Sequence, residues 1–110
     1  MSALTMDDVA VVIPALNERL RIREVVEDAL AVCPRVIVVD DGSDDGTSDC
    51  LDGLPVTLIR HPRRLGKGAA LRSGFAEAAR QGAQGVLTMD GDGQHRASDF
   101  PRMLEAANAY

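Results

Sequence analysis

The chain has 110 residues, 45% of them hydrophobic and 26% charged, a composition typical of one globular domain. Seventeen acidic residues against twelve basic ones give a net charge of −5, which argues against a nucleic-acid-binding surface. Aromatic residues make up only 3%, so a platform for stacking single-stranded bases is not expected. No signal pattern and no apolar run of membrane-spanning length is present. We therefore expect a cytoplasmic protein, with the cytoplasmic membrane face as an alternative location, in which Cys33 and Cys50 are free thiols.

Four short apolar runs predict strands at residues 9–13, 36–39, 56–59 and 86–89, of which the first two are expected to be buried. Pro14 is expected to stop the first strand. Apolar residues at helical spacing predict a helix over 20–33 that Pro34 closes. A short helix over about 47–51 and a final helix over about 98–109 are also predicted. Between them, a helix after Lys67 is expected to pack on one face and to end at Gly82; the packed residues would be Leu71, Phe75, Ala78 and Ala79.

The alternation of strands and helices predicts the fold class. It indicates an α/β, Rossmann-like parallel sheet of about four strands, joined by right-handed crossovers and covered by helices on both faces. Ligands of such sheets bind beyond the carboxyl ends of the strands. The polar loops after strands one, two and four should meet at that edge, and they carry Asn17, Glu18, Asp41, Asp90 and Asp92.

Asp90 and Asp92 directly follow strand four, and Gly91 separates them. Alternate residues of an extended backbone share a face, so the two carboxylates can converge on Mg²⁺ or Mn²⁺, with Gln94 as a third oxygen ligand. The glycine allows a diphosphate to approach closely. An acidic turn is the alternative interpretation, because Asp-Gly pairs favour turns.

Several other polar residues have two interpretations. Asp41 could accept hydrogen bonds from a base or ribose, or could be an N-terminal acid of the short helix after it. Glu18 could be a first-turn helix acid with Asn17 as the cap. The basic loop could be merely solvated, although Lys67, between two glycines at a helix start, is well placed for phosphate; this loop contains Arg60, His61, Arg63, Arg64 and Lys67. Residues 41–52 also fit a calcium loop in part, but a strand rather than a helix precedes them.

Four segments in order resemble the N-terminal half of family 2 glycosyltransferases, and most of all the polyprenyl-phosphate (dolichol-phosphate) mannose or glucose synthases. They are residues 12–18, 38–47, 66–74 and 89–95. The resemblance implies a GT-A domain that binds a GDP- or UDP-linked sugar. It further implies that Pro14, Ala15, Leu16 and Glu18 line the nucleoside pocket, that Asp41 binds the base and that Lys67 lies near the nucleotide. Asp90 and Asp92 would be the DXD pair that holds the metal on the diphosphate, and Gln94 matches the DXDXQ variant.

The resemblance also sets expectations for the whole chain. Its members continue past this length with further strands, an acceptor pocket and a general base. We therefore interpret residues 1–110 as the donor-binding part of an inverting glycosyltransferase with a polyprenyl phosphate as acceptor, truncated after the DXD loop and one helix. Such a chain should not transfer sugar alone, and strand four, placed beside strand one, should leave an apolar edge that favours self-association. A sugar-1-phosphate nucleotidyltransferase and a catalytically inactive nucleotide-binding module are the alternatives.

Overall fold

The computed structural model describes residues 4–92 of the chain. Four strands alternate with two α-helices and a short 3₁₀-helix: β1 (Val9–Ala15), α1 (Ile22–Leu30), β2 (Val36–Asp40), the 3₁₀-helix (Ser48–Leu51), β3 (Thr57–Arg60), α2 (Lys67–Arg80) and β4 (Gly85–Thr88). The helix expected over 98–109, together with Gln94, lies outside the described residues.

The strands form one parallel sheet with the order β3-β2-β1-β4. β1 therefore lies at the centre, between β2 and β4, which confirms that strand four is the neighbour of strand one. All four carboxyl ends point the same way, so the loops that follow β1, β2 and β4 meet at one edge of the sheet.

The helices cover both faces of the sheet, as the α/β prediction required. On one face α1 packs Val25 and Val26 into a cluster with Val11 and Ile13 of β1. On the other face α2 joins a second cluster, which includes Val12 of β1. Successive β1 side chains point to opposite faces, so a continuous apolar run supplies both cores.

The first strand does not stop at Pro14, as the sequence had suggested. β1 continues to Ala15 and pairs there with Asp40 of β2, whereas its pairing with β4 ends at Val12. Val12 accepts a hydrogen bond from Met89 on the β4 side, and backbone groups two residues apart point the same way. The missing N–H of Pro14 therefore faces the side where the β4 ladder has already ended, so it interrupts no pairing.

The two α-helices also differ from their predicted faces or bounds. α1 begins at Ile22, and Leu20 is 86% exposed in the preceding loop. In α2 the buried stripe is Ala70, Gly74 and Ala78, while Ala79 and the 41%-exposed Phe75 lie outside it. A Cβ at Gly74 would lie 2.3 Å from Val12 Cγ1, so α2 packs too close to the sheet at this position for a side chain. Leu71 packs, partly buried, against the second cluster as predicted, but the fully buried stripe consists of small residues.

Candidate functional site

A cavity of about 390 Å³ lies at the carboxyl edge of the sheet. The loops after β1, β2 and β4 and the start of α2 form its walls, as the topology predicts. Its volume is in the range of small-molecule sites. The lining residues are Pro14, Ala15, Leu16, Glu18, Asp41, Arg64, Lys67, Ala70, Asp90, Gly91 and Asp92.

Apart from Asn17, and from Gln94, which lies outside the described residues, every site residue predicted from the sequence lines this one cavity. Two further residues were missed, Arg64 and Ala70. Arg64 had been noted only as part of the basic loop, and nothing local distinguished it from Arg63. Ala70 is three residues after Lys67 and therefore on the same side of α2, a helical spacing that could have identified it.

Part of the cavity wall is acidic, and the ammonium group of Lys67 forms an ion pair there. Lys67 Nζ donates a hydrogen bond to Asp90 Oδ1 at 2.8 Å. This hydrogen bond and the charge of Asp90 raise the pKa of Lys67, although its side chain is 65% exposed. Partial burial and the negative charge of Asp92 raise the pKa of Glu18. Negative charge is therefore concentrated where the DXD pair was predicted.

The residues in this part of the cavity wall fit a divalent metal ion. Asp90 and Asp92 both line the cavity, and the Asp90 carboxylate forms an ion pair with Lys67. Among residues 4–92 no group of three His, Cys, Asp or Glu side chains could enclose a metal. Two carboxylates suit Mg²⁺ or Mn²⁺ when phosphate oxygens of a ligand complete the coordination, a common arrangement for magnesium.

Asp41 anchors the loop between β3 and α2. Its Oδ1 accepts hydrogen bonds from the Leu65 N–H at 2.9 Å and lies 2.8 Å from His61 Nδ1, and its Oδ2 accepts one from the Gly66 N–H at 2.9 Å. Burial raises the pKa of the Asp41 carboxyl, but these hydrogen bonds outweigh it and leave the pKa below its ordinary value. Asp41 is therefore not an N-terminal acid of the 3₁₀-helix, and that interpretation is wrong.

His61 is not a solvated member of the basic loop. Its side chain is only 9% exposed, and its Nε2 lies 2.9 Å from Ser73 Oγ of α2. With Nδ1 on Asp41, the ring bridges the end of β2 and the face of α2. The loop after β3 thus has one buried histidine among exposed arginines, which a count of basic residues could not reveal.

The loops after β2 and β3 touch through their backbones at Gly42. This residue has φ +77°, and a Cβ built on it would lie 2.4 Å from the Arg63 carbonyl carbon and 2.5 Å from the Arg64 nitrogen. Only glycine permits that approach without displacement of the basic loop. Gly42 therefore helps to place Arg64 at the cavity.

Asn17 is neither a lining residue nor a helix cap. It adopts φ +53°, its Oδ1 accepts a hydrogen bond from the Asp44 N–H, and its own N–H donates to Ser43 Oγ. The N-cap position of α1 belongs to Arg21. Asn17 instead ties the loop after β1 to the loop after β2.

Comparison with known proteins identifies the family to which the chain belongs. The sequence model of the family described as "Glycosyl transferase family 2" matches residues 10–110. The chain belongs to glycosyltransferase family 2. Family 2 membership agrees with the resemblance of the four sequence segments, and the parallel sheet agrees with the GT-A architecture expected from it.

Two relatives illustrate the similarity within family 2. Polyprenol monophosphomannose synthase of Mycolicibacterium smegmatis is 36% identical over 107 aligned positions, and the match covers 90% of this chain and 40% of that protein. Undecaprenyl-phosphate 4-deoxy-4-formamido-L-arabinose transferase of Pseudomonas paraeruginosa is 32% identical over 123 aligned positions, which cover all of this chain and 35% of that protein.

Solved structures show the same fold. The crystal structure of glucosyl-3-phosphoglycerate synthase from Mycobacterium tuberculosis, in complex with Mn²⁺, UDP and glucosyl-3-phosphoglycerate, has a TM-score of 0.74 and 25% identity to this chain. The match covers 93% of this chain and 40% of that structure. The chain thus spans less than half the length of these relatives. In the part of the chain that the structure describes, no helix is long and apolar enough to span a membrane.

Proposed function

We propose that this chain is the donor-binding part of a glycosyltransferase that takes a nucleoside-diphosphate sugar with Mg²⁺ or Mn²⁺. The observation that carries the proposal is the single cavity in which the acidic pair Asp90 and Asp92 faces the same space as Asp41 and Lys67. An acid pair suits a metal-bound diphosphate, and a separate buried acid suits a nucleoside.

The charges of the cavity agree with an anionic ligand whose charge is partly neutralised by a metal. Lys67 begins α2, so its ammonium group and the positive end of the helix lie at the same wall. Arg64 adds a second cation from the basic loop. When bound, the metal would neutralise negative charge that develops on the departing nucleoside diphosphate. Asp90 and Asp92 would hold this metal, and Gln94 would be a further oxygen ligand.

The relatives suggest the rest of the reaction. Two of them are named for polyprenyl-type lipid carriers, and the structural neighbour binds UDP with Mn²⁺. We therefore extend the proposal to an inverting transfer of a hexose from a GDP- or UDP-linked donor to a polyprenyl phosphate at the cytoplasmic membrane face. No side chain of residues 4–92 is assigned as the general base of this transfer.

Calorimetry of the 110-residue chain with UDP and GDP, each with and without Mn²⁺, tests the proposal. We expect at least one nucleotide to bind, and to bind tenfold or more tightly with Mn²⁺ (on the order of 1.4 kcal/mol), because the metal links phosphates to carboxylates. Asp92→Asn should abolish the metal effect. Asp52→Asn removes the same charge from an exposed residue outside the cavity and should leave the effect intact. Equal affinities with and without metal would contradict the assignment of Asp90 and Asp92.

A further inference from the structure

The hydrogen bonds of Asp41 leave little of its carboxylate available to a ligand. A carboxylate has about four acceptor positions, two on each oxygen. The His61 ring and the Leu65 N–H occupy both positions of Oδ1, and the Gly66 N–H occupies one of Oδ2. The side chain of Asp41 is only 5% exposed, yet it lines the cavity. Asp41 therefore lines the cavity with one acceptor position left, on Oδ2.

The chemistry of Asp41 also determines that the Nδ1 of His61 carries a proton. An ionised carboxylate can only accept hydrogen bonds, so the Nδ1 of His61 must donate to Asp41 Oδ1. Nε2 faces the hydroxyl of Ser73, which can donate or accept. Ser73 on α2 thus holds the His61 ring through Nε2, while Nδ1 of the ring donates its hydrogen bond to the Asp41 carboxylate.

Nucleobases differ in how many donors they offer to an acid. The pairing edge of uracil has a single ring N–H between two carbonyl oxygens. The corresponding edge of guanine has a ring N–H beside an amino group, and these two donors pair with both oxygens of a carboxylate. Both acceptor positions of Asp41 Oδ1 are occupied by groups of the chain. A base with one donor can therefore pair that donor with Oδ2, whereas the second donor of guanine would have no acceptor on Asp41.

We propose that His61 is a positioning residue that occupies Asp41 Oδ1, leaves one acceptor on Oδ2, and thereby makes the cavity selective for uridine over guanosine nucleotides. The proposal rests on the donor-binding function proposed above and narrows its donor to a UDP-sugar. His61 contacts Asp41 and Ser73 and acts on the ligand only through Asp41.

Two substitutions of His61 separate its two hydrogen bonds. In His61→Asn the side-chain amide nitrogen replaces Nδ1 and can still donate to Asp41, but it does not reach Ser73. In His61→Gln the amide nitrogen replaces Nε2 and can still reach Ser73, but the donor to Asp41 is lost. Both variants remove the ring and have similar polarity, so each is a control for the other.

The experiment is calorimetry of the chain and its two variants with UDP and with GDP, in the presence of Mn²⁺. We expect the unaltered chain to bind UDP about tenfold or more tightly than GDP. His61→Asn should keep that ratio within about threefold, because it preserves the hydrogen bond to Asp41. In His61→Gln the ratio should fall close to one, because Oδ1 becomes available to the second donor of guanine.

Three results would overturn the proposal, and they can be told apart. If the unaltered chain binds GDP as tightly as UDP, the base selectivity is wrong, whether or not any variant folds. If both variants change the ratio equally, His61 has only a packing role. If the unaltered chain binds neither nucleotide, the donor-binding function itself fails. Amide NMR signals of Leu65 and Gly66, retained in His61→Asn, would show that the loop after β3 remains anchored.

Discussion

The contact between the loops after β2 and β3 makes Gly42→Ala the most informative stability test. The new methyl group would lie 2.4 Å from the Arg63 carbonyl carbon, 2.5 Å from the Arg64 nitrogen and 2.9 Å from the Arg63 Cα. Comfortable contacts between heavy atoms are about 3.5–4.0 Å. The basic loop would therefore have to move by roughly 1 Å, and it is held in place by the hydrogen bonds to Asp41.

Gly53→Ala is the matched control for this change. Gly53 has φ +83°, close to the +77° of Gly42, but a Cβ built on it meets nothing within 4 Å. Alanine in the left-handed region costs about 1–2 kcal/mol, and the lower entropy of the unfolded chain offsets about 0.4–1 kcal/mol of this. We therefore expect Gly53→Ala to lower the free energy of unfolding by about 1 kcal/mol.

Gly42→Ala should carry the same backbone cost together with the cost of the clash. Forcing additional carbon into a packed site costs about 1–3 kcal/mol, so its total should be about 2–4 kcal/mol. The two variants differ only by the cost of the clash, about 1–3 kcal/mol, so at about 4–8 °C per kcal/mol the Tm of Gly42→Ala should lie roughly 4–24 °C below that of Gly53→Ala. Thermal unfolding followed by circular dichroism measures both. If the two Tm values agree within about 2 °C, the close approach of the two loops does not exist in solution.

Two further predictions concern acid stability and assembly. The pKa of Asp41 is lowered, so its stabilising contribution is complete above the ordinary pKa of an aspartic acid, about 3.9, and is lost as the pH falls through the lower folded value. On acid titration, the free energy of unfolding should therefore fall more steeply for the unaltered chain than for the variant Asp41→Asn. Identical slopes for the two proteins would contradict the role of this carboxylate. In the described part of the chain β4 is an edge strand and its Val86 is 37% exposed, so we predict self-association that Val86→Lys weakens; light scattering across a dilution series would refute this if the unaltered chain is monomeric throughout.

Local sequence patterns were sufficient to predict the sheet and the edge at which its polar loops meet, whereas the lining by Pro14, Ala15 and Leu16 was implied by the family resemblance. Strand periodicity and the alternation of elements depend on near neighbours, and parallel topology then brings the ends of β1, β2 and β4 to one edge. For this reason the positions of Glu18, Asp41 and Asp90 in one site followed from their places after apolar runs. The same local reasoning misjudged Pro14, because whether its missing N–H matters depends on where the neighbouring strand ends.

Only the tertiary structure decided how the polar groups of the site are used. Asp41 has the same local sequence whether it caps the 3₁₀-helix or anchors the loop after β3, and its partners lie 20–25 residues further along the chain. The burial of His61 arises because α2 brings Ser73 against it, and the need for glycine at position 42 arises because another backbone passes within van der Waals distance. Each of these depends on the relative placement of separate loops, which is set by the packing of helices on the sheet and leaves no periodic signal in the residues themselves.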